Sequence, residues 1–308
     1  MKILITGANG FVASQLTSLL EAQGHQLLLA ARSDMQATSA TVEIGDIDTF
    51  DNWESYLSDI DVVIHLAARV HQMNELSDQA ALNYQRTNVD ATARLAEAAI
   101  QCGVKRFIFL STIKVNGEET LKGETFSATD TPAPKDAYGE SKLQAELALK
   151  KLSSSSAMEL VIIRPPLVYG PGVKVNFLRL VELAQGGIPL PFAGLSNHRD
   201  MVSVDNLCDL IAHCIASPQA AGETFLVSDG ITYSTADILT AVRSILDLPQ
   251  RLFYVPPSLL KLALTLVGKT AMADRLFGSL QIDISATVET LDWSPKYTLE
   301  QTLKKMLT

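Results

Sequence analysis

Lys2-Ile3-Leu4-Ile5-Thr6-Gly7-Ala8-Asn9-Gly10-Phe11-Val12-Ala13 decides the fold of this chain. Residues 2–6 form an unbroken apolar run ending on glycine, the pattern of a strand buried on both faces of a parallel sheet. Phe11 to Gln23 then repeats apolar residues at helical spacing and halts at Gly24, a glycine suited to the position just past a helix end. A strand that turns through two glycines straight into a helix opens a βαβ unit. Gly7 permits the tight turn, and Gly10 lets backbone approach an anion that the helix N-terminus would stabilise. Glycine spacing alone is weak evidence, but this position at the first strand-to-helix turn makes it informative. Ala13 stands where a third glycine is common and is small enough for close packing of helix on sheet.

Outward from this stretch the alternation continues. Strands are expected at Leu27–Ala31, Val42–Ile44, Val62–Leu66, Phe107–Leu110 and Leu160–Ile163, and long helices at Asn88–Cys102 and Asp136–Leu152. That order predicts an α/β chain with a doubly wound parallel sheet, the Rossmann arrangement. After Arg164-Pro165-Pro166 prolines and glycines become dense, so a dinucleotide-binding domain is expected over 1–165. A smaller α+β substrate region is expected over 166–308, with some segments returning to the first domain.

Composition bounds the partners. The 308 residues include 25 basic and 34 acidic side chains, a net charge of −9, and 47% are hydrophobic. Such a chain can bury a sizeable core and has no general attraction for nucleic-acid phosphates. Cys102, Cys208 and Cys214 are unpatterned and read as reduced core thiols of a cytoplasmic protein, with no metal role. No apolar stretch is long enough to insert through a membrane.

Two further positions carry chemistry. The end of the second strand reads Ala30-Ala31-Arg32-Ser33. An arginine there favours a ribose 2′-phosphate, where a carboxylate would bond a free 2′-hydroxyl, so NADP(H) is favoured over NAD(H). The alternative is that Arg32 is solvated and Asp34 turns back to the ribose. Tyr138-Gly139-Glu140-Ser141-Lys142 puts Tyr138 and Lys142 four residues apart on one helical face. An ammonium beside a phenol is expected to lower its pKa towards acid–base work near neutrality. A third hydroxyl belongs at the end of the fifth strand, where Ser111 and Thr112 point to opposite sides; a strand-end capping role is the alternative for both.

These residues resemble the extended short-chain dehydrogenase/reductase family, which comprises nucleotide-sugar epimerases, dehydratases and reductases, over nearly the whole chain. The resemblance implies cofactor contacts from Gly7, Asn9, Gly10, Phe11, Val12 and Arg32. It adds Asp46 and Ile47 at the adenine, Leu66, Ala67 and Ala68 along phosphates and ribose, and Asn88, Tyr138, Lys142 and Pro165 near the nicotinamide. It favours Thr112 over Ser111 as the catalytic hydroxyl beside Tyr138 and Lys142. Arg199, before Val202-Ser203-Val204-Asp205-Asn206, is similar to the arginine that binds the sugar-nucleotide diphosphate, and Ser111, Thr112, Asn176 and Arg275 join it as candidate substrate contacts. Asp292-Trp293-Ser294-Pro295 resembles a closing Gly-Trp-x-Pro with Asp292 in place of glycine.

Sugar 4,6-dehydratases of this family carry Asp-Glu after the catalytic threonine. Here Ile113-Lys114 follow Thr112, which points away from elimination and towards 4-epimerisation or 4-keto reduction of a UDP-sugar. Arg69 and His71 face either the sugar or solvent. Competing readings are a reductase of a non-nucleotide ketone, similar to dihydroflavonol reductases, a non-catalytic NADP-binding regulatory module, and a structural protein with a relict fold. The intact Thr112, Tyr138 and Lys142 disfavour the last two. The family resemblance also implies a homodimer, for which the helices at Asn88–Cys102 and Lys142–Leu152 could supply a four-helix interface; the alternative is that these helices simply cover the sheet.

Overall fold

The computed structural model describes residues 1–70, 77–173, 176–266 and 276–307. Seven parallel strands form one sheet in the order β3-β2-β1-β4-β5-β6-β9. They are β1 (Lys2–Thr6), β2 (Gln26–Ala31), β3 (Ala40–Glu43), β4 (Val62–His65), β5 (Arg106–Leu110), β6 (Glu159–Arg164) and β9 (Thr224–Leu226). β7 (Leu167–Tyr169) and β8 (Met201–Ser203) pair in parallel as a separate two-stranded sheet.

Strand side chains alternate between faces, and two cores follow from that period of two. Ile3, Ile5, Leu27, Leu29, Ile64, Ile108 and Val161 enter one core with α1 (Phe11–Ala22) and α7 (Val204–Ala216). Leu4, Ala30, Val63, Phe107, Phe109, Leu160 and Ile162 enter the other with α4 (Ala91–Gln101) and α5 (Ala137–Ser154). α7 and β9 both come from sequence beyond residue 165, so the later half of the chain completes the sheet and one of its helical layers. A third core, built from Tyr169, Phe177, Val181, Leu239 and Val242, holds α6 (Asn176–Gln185) against α8 (Thr235–Ile245).

The strand order reverses between β1 and β4, where Thr6 lies opposite His65. Open α/β sheets bind ligands in the crevice outside the carboxyl ends at such a point. The expected helix at Asn88 differs from the observed one. The helical run starts earlier, with α3 (Ser77–Tyr84), passes through a π-helical segment at Gln85–Asp90, and continues as α4. Asn88 is therefore a buried residue inside that segment, not a helix start. π segments are rare and recur where a side chain must be re-aimed.

Candidate active site

The glycine turn closes against the loop after β4. A Cβ on Gly7, whose φ is +70°, would lie 2.7 Å from the Ala67 amide nitrogen, and one on Gly10 would lie 2.9 Å from the Gly7 carbonyl oxygen. Both positions thus need the missing side chain for different reasons: one for the approach of two loops, the other for the turn itself. Gly10 is the N-cap of α1 and no side chain bonds to that helix end. A narrow cradle of small residues ending on an open helix N-terminus suits a pyrophosphate. Asn9, Phe11 and Val12 line the same turn, with Leu66, Ala67 and Ala68 partly exposed across from it.

Beneath the cradle a buried polar set ties β1, β4 and α4 together. The His65 ring contacts the Thr6 hydroxyl through Nδ1 at 2.6 Å and the Thr92 hydroxyl through Nε2 at 2.8 Å, and the Ala67 amide donates to the same Thr6 hydroxyl. Burial first, then the Lys142 ammonium, push the His65 pKa down to about 3, so the ring is neutral. Asn88 donates to the Ser141 hydroxyl at 2.9 Å and to the Arg69 carbonyl, and accepts from the Arg69 amide. The π segment thereby grips the loop after β4 and the helix that carries Tyr138. His71 lies outside the described residues.

Asp136 caps α5 by accepting from the Gly139 amide at 2.7 Å, which sets Tyr138 on the first turn. Lys142 follows one turn later, buried, with Nζ 3.9 Å from the centroid of the Phe109 ring. The expectation that lysine would acidify the phenol does not hold for the chain alone. Burial raises the Tyr138 pKa, with Asp136 and Tyr84 adding to the rise. Burial also pulls Lys142 down to about 7, against the opposing pull of Glu146. Desolvation penalises the charged form of both groups.

The two hydroxyls after β5 are separated by the strand alternation. Ser111 donates to Glu146, which also forms a two-point ion pair with Arg164 at 2.9 and 2.6 Å; all three side chains are buried. Thr112 is extended, with φ −157° and ψ 150°, and caps the short 3₁₀ turn Ile113–Val115 by accepting from the Lys114 amide. Its neighbour Ile113 donates to the Pro165 carbonyl at 2.9 Å, joining the turn to the end of β6. Glu146 was not singled out from the sequence, although it follows Lys142 by four on the same helical face.

The remaining expected residues divide. Arg32 pairs with Asp46 at 2.8 Å, both exposed, so the cation on which the NADP(H) expectation rested already has a carboxylate partner. Ile47 is buried next to that pair. Arg199 bonds the Gly278 carbonyl at 3.0 Å and pairs its backbone with Tyr233. Asn176 opens α6, but its side chain lies outside the described residues, as does all of Arg275. Asp292 sits at φ +48°, the left-handed conformation that the family's glycine would take freely. Trp293 beside it is buried and bonds Asp209 at 2.7 Å. The three cysteines are free; Cys208 and Cys214 are buried, whereas Cys102 is only half-buried because it lies at the last turn of α4.

Residues 3–228 match the NAD dependent epimerase/dehydratase family. The chain is 45% identical over 306 residues to a UDP-glucose 4-epimerase of Vibrio cholerae, covering 98% of this chain and 93% of that protein. Among solved structures it shares its fold with UDP-glucose 4-epimerase from Thermotoga maritima with UDP-glucose, at a TM-score of 0.80, 23% identity, and coverage of 100% and 97%. The UDP-glucuronic acid 4-epimerase of Bacillus cereus in complex with NAD superposes with a TM-score of 0.79, 24% identity, and coverage of 99% and 95%.

Proposed function

The chain belongs to the NAD dependent epimerase/dehydratase family, and from that membership we propose that it inverts C4 of a UDP-sugar with NAD(H) as resident cofactor. The carrying observation is the likeness to a UDP-glucose 4-epimerase across 98% of the chain; the glycine cradle follows β1, Thr112 follows β5, and Lys142 of α5 lies over Phe109 of β5, which supports the reading. NAD(H) replaces the expected NADP(H) because Arg32 is paired with Asp46 and the solved relatives are described with NAD.

The assignments are as follows. Gly7, Asn9, Gly10, Phe11 and Val12 hold the pyrophosphate, Asp46 and Ile47 the adenine side, and Leu66, Ala67, Ala68, Asn88 and Pro165 the nicotinamide ribose side. Bound nicotinamide supplies a reversible hydride store and, when oxidised, a fixed positive charge. A cation placed beside the buried phenol would stabilise its ionised form. Tyr138 would take the proton of the C4 hydroxyl as that carbon is oxidised to a 4-keto sugar and return it to the same oxygen; inversion would follow when the keto sugar presents its opposite face for the returning hydride. Thr112 relays or holds that proton, and Lys142 orients ribose and phenol. Arg199 and Arg275 are assigned to the diphosphate and Asn176 to the sugar, whereas Ser111, expected among the substrate contacts, donates to Glu146 instead. Two copies pair through the helices at 88–102 and 142–152, where Leu147 is exposed, and the enzyme works in the cytoplasm.

UDP-glucose, UDP-N-acetylglucosamine and UDP-glucuronic acid should be incubated with purified protein and NAD⁺, following product stereochemistry and absorbance. Inversion at C4 without net cofactor reduction is expected, and Tyr138→Phe should lower kcat by ~10²-fold or more while NAD⁺ binding persists. Net oxidation of NADH on a 4-keto sugar would make it a reductase instead. Full activity in Tyr138→Phe would remove the proton assignment.

A further inference from the structure

Lys114 stands in the turn after Thr112, at the position where the sequence departs from the dehydratases, and its side chain has no part in the proton assignments. Its backbone amide donates to the Thr112 hydroxyl at 3.3 Å. Its ammonium bonds the Asp136 carboxylate and, at 2.9 Å, that of Glu118. The other oxygen of Asp136 caps α5 at Gly139, one residue after Tyr138. Gly139 itself has no room for a side chain: a Cβ there would lie 2.9 Å from the Lys114 carbonyl oxygen and 3.3 Å from its Cβ. One residue thus touches the carrier of the hydroxyl and the carrier of the phenol by three separate contacts. Burial opposes the Lys114 charge, but the two carboxylates prevail and hold its ammonium above the usual lysine range. The pair is therefore intact across the working pH.

We propose that Lys114 is a positioning residue, clamping the Thr112 turn to the first turn of α5 through Asp136 and so setting the approach of the Thr112 hydroxyl to the Tyr138 phenol. It touches neither sugar nor cofactor in this role. Proton relays tolerate little misplacement, since transfer needs heavy atoms within hydrogen-bond reach. Loosening the clamp should slow the chemical step and leave binding alone.

The inference rests on the epimerase reading and is tested with Lys114→Met, Lys114→Arg, Asp136→Asn and the double variant Lys114→Met/Asp136→Asn, all in the full chain with NAD⁺. Asparagine is as good an N-cap as aspartate, so Asp136→Asn removes the ion pair and keeps the helix start. Lys114→Met should lower kcat tenfold or more with KM and NAD⁺ affinity within about twofold, and Lys114→Arg should recover most of the loss. The double variant should be no slower than either single, because both remove the same contact. Wild-type kcat in Lys114→Met, equal loss in KM, or multiplicative loss in the double variant overturns the clamp while leaving the epimerase intact. If wild-type protein turns over no UDP-sugar, the epimerase reading fails instead. The clamp is then judged from crystal structures, where an unchanged Thr112 Oγ1 to Tyr138 Oη separation in Lys114→Met overturns it.

Discussion

At the scale of the residue, desolvation governs the site. His65 is fully buried between two hydroxyls and is neutral in the folded chain. Its pKa is about 3 when folded against about 6.5 when unfolded. Between those values the unfolded chain holds one more proton, so stability rises with pH and is lost as pH falls from 6.5 towards 3. Denaturant unfolding at pH 7 and pH 4.5 should therefore cost wild type about 2–3 kcal/mol more than it costs His65→Gln. Equal losses in the two proteins would show that His65 carries no such linkage. The Tyr138–Lys142 pair makes the complementary point. Its spacing was legible in the sequence, whereas the direction of both pKa shifts depended on burial, which spacing does not report.

At the scale of the element, α5 is held at two points. Its start is fixed by Asp136 and Lys114, and its middle by the buried pair of Glu146 with Arg164, which reaches across to β6. Arg164 also donates to Asn116 at 2.9 Å, so the ion pair spans helix, strand and the loop after Thr112. Arg164→Met should destabilise the fold by about 3–5 kcal/mol, since it leaves the Glu146 charge buried without compensation. Replacing Arg164 and Glu146 together with methionine should recover much of that loss, and a double variant as unstable as the single would contradict the argument. Neither partner could be paired from sequence, because the stretch between them, positions 147 to 163, carries no mark of which strand the helix will cover. The π segment was hidden for a related reason: the sequence pattern starts a helix at Asn88 and carries no mark of the bulge over Gln85–Asp90, which aims Asn88 at Arg69 and Ser141.

At the scale of the whole molecule, the sheet presents the cradle proposed for the cofactor, and β9 and α7 from the later half of the chain complete that sheet and one of its cores. A ligand that binds only the folded state stabilises by about 2.7 kcal/mol at a hundred times its Kd. Saturating NAD⁺ should raise the melting temperature by about 5 °C or more, and NADP⁺ at the same concentration should raise it less, because Arg32 is already paired with Asp46. A larger shift with NADP⁺ would mean that a 2′-phosphate displaces Asp46 and would restore the NADP(H) reading.

The sequence by itself determined the order of the first six strands, the glycine turn, and the Tyr138–Lys142 spacing, because each is written in local periodicity and in residues with restricted backbone roles. Tertiary structure alone decided that β9 and α7 return to complete the first domain, that Ser111 serves Glu146 while Thr112 faces the other way, and that Lys114 and Asp136 meet. Those outcomes join residues far apart in the chain, and the energies that select them come from burial and charge pairing across space, which no local window contains.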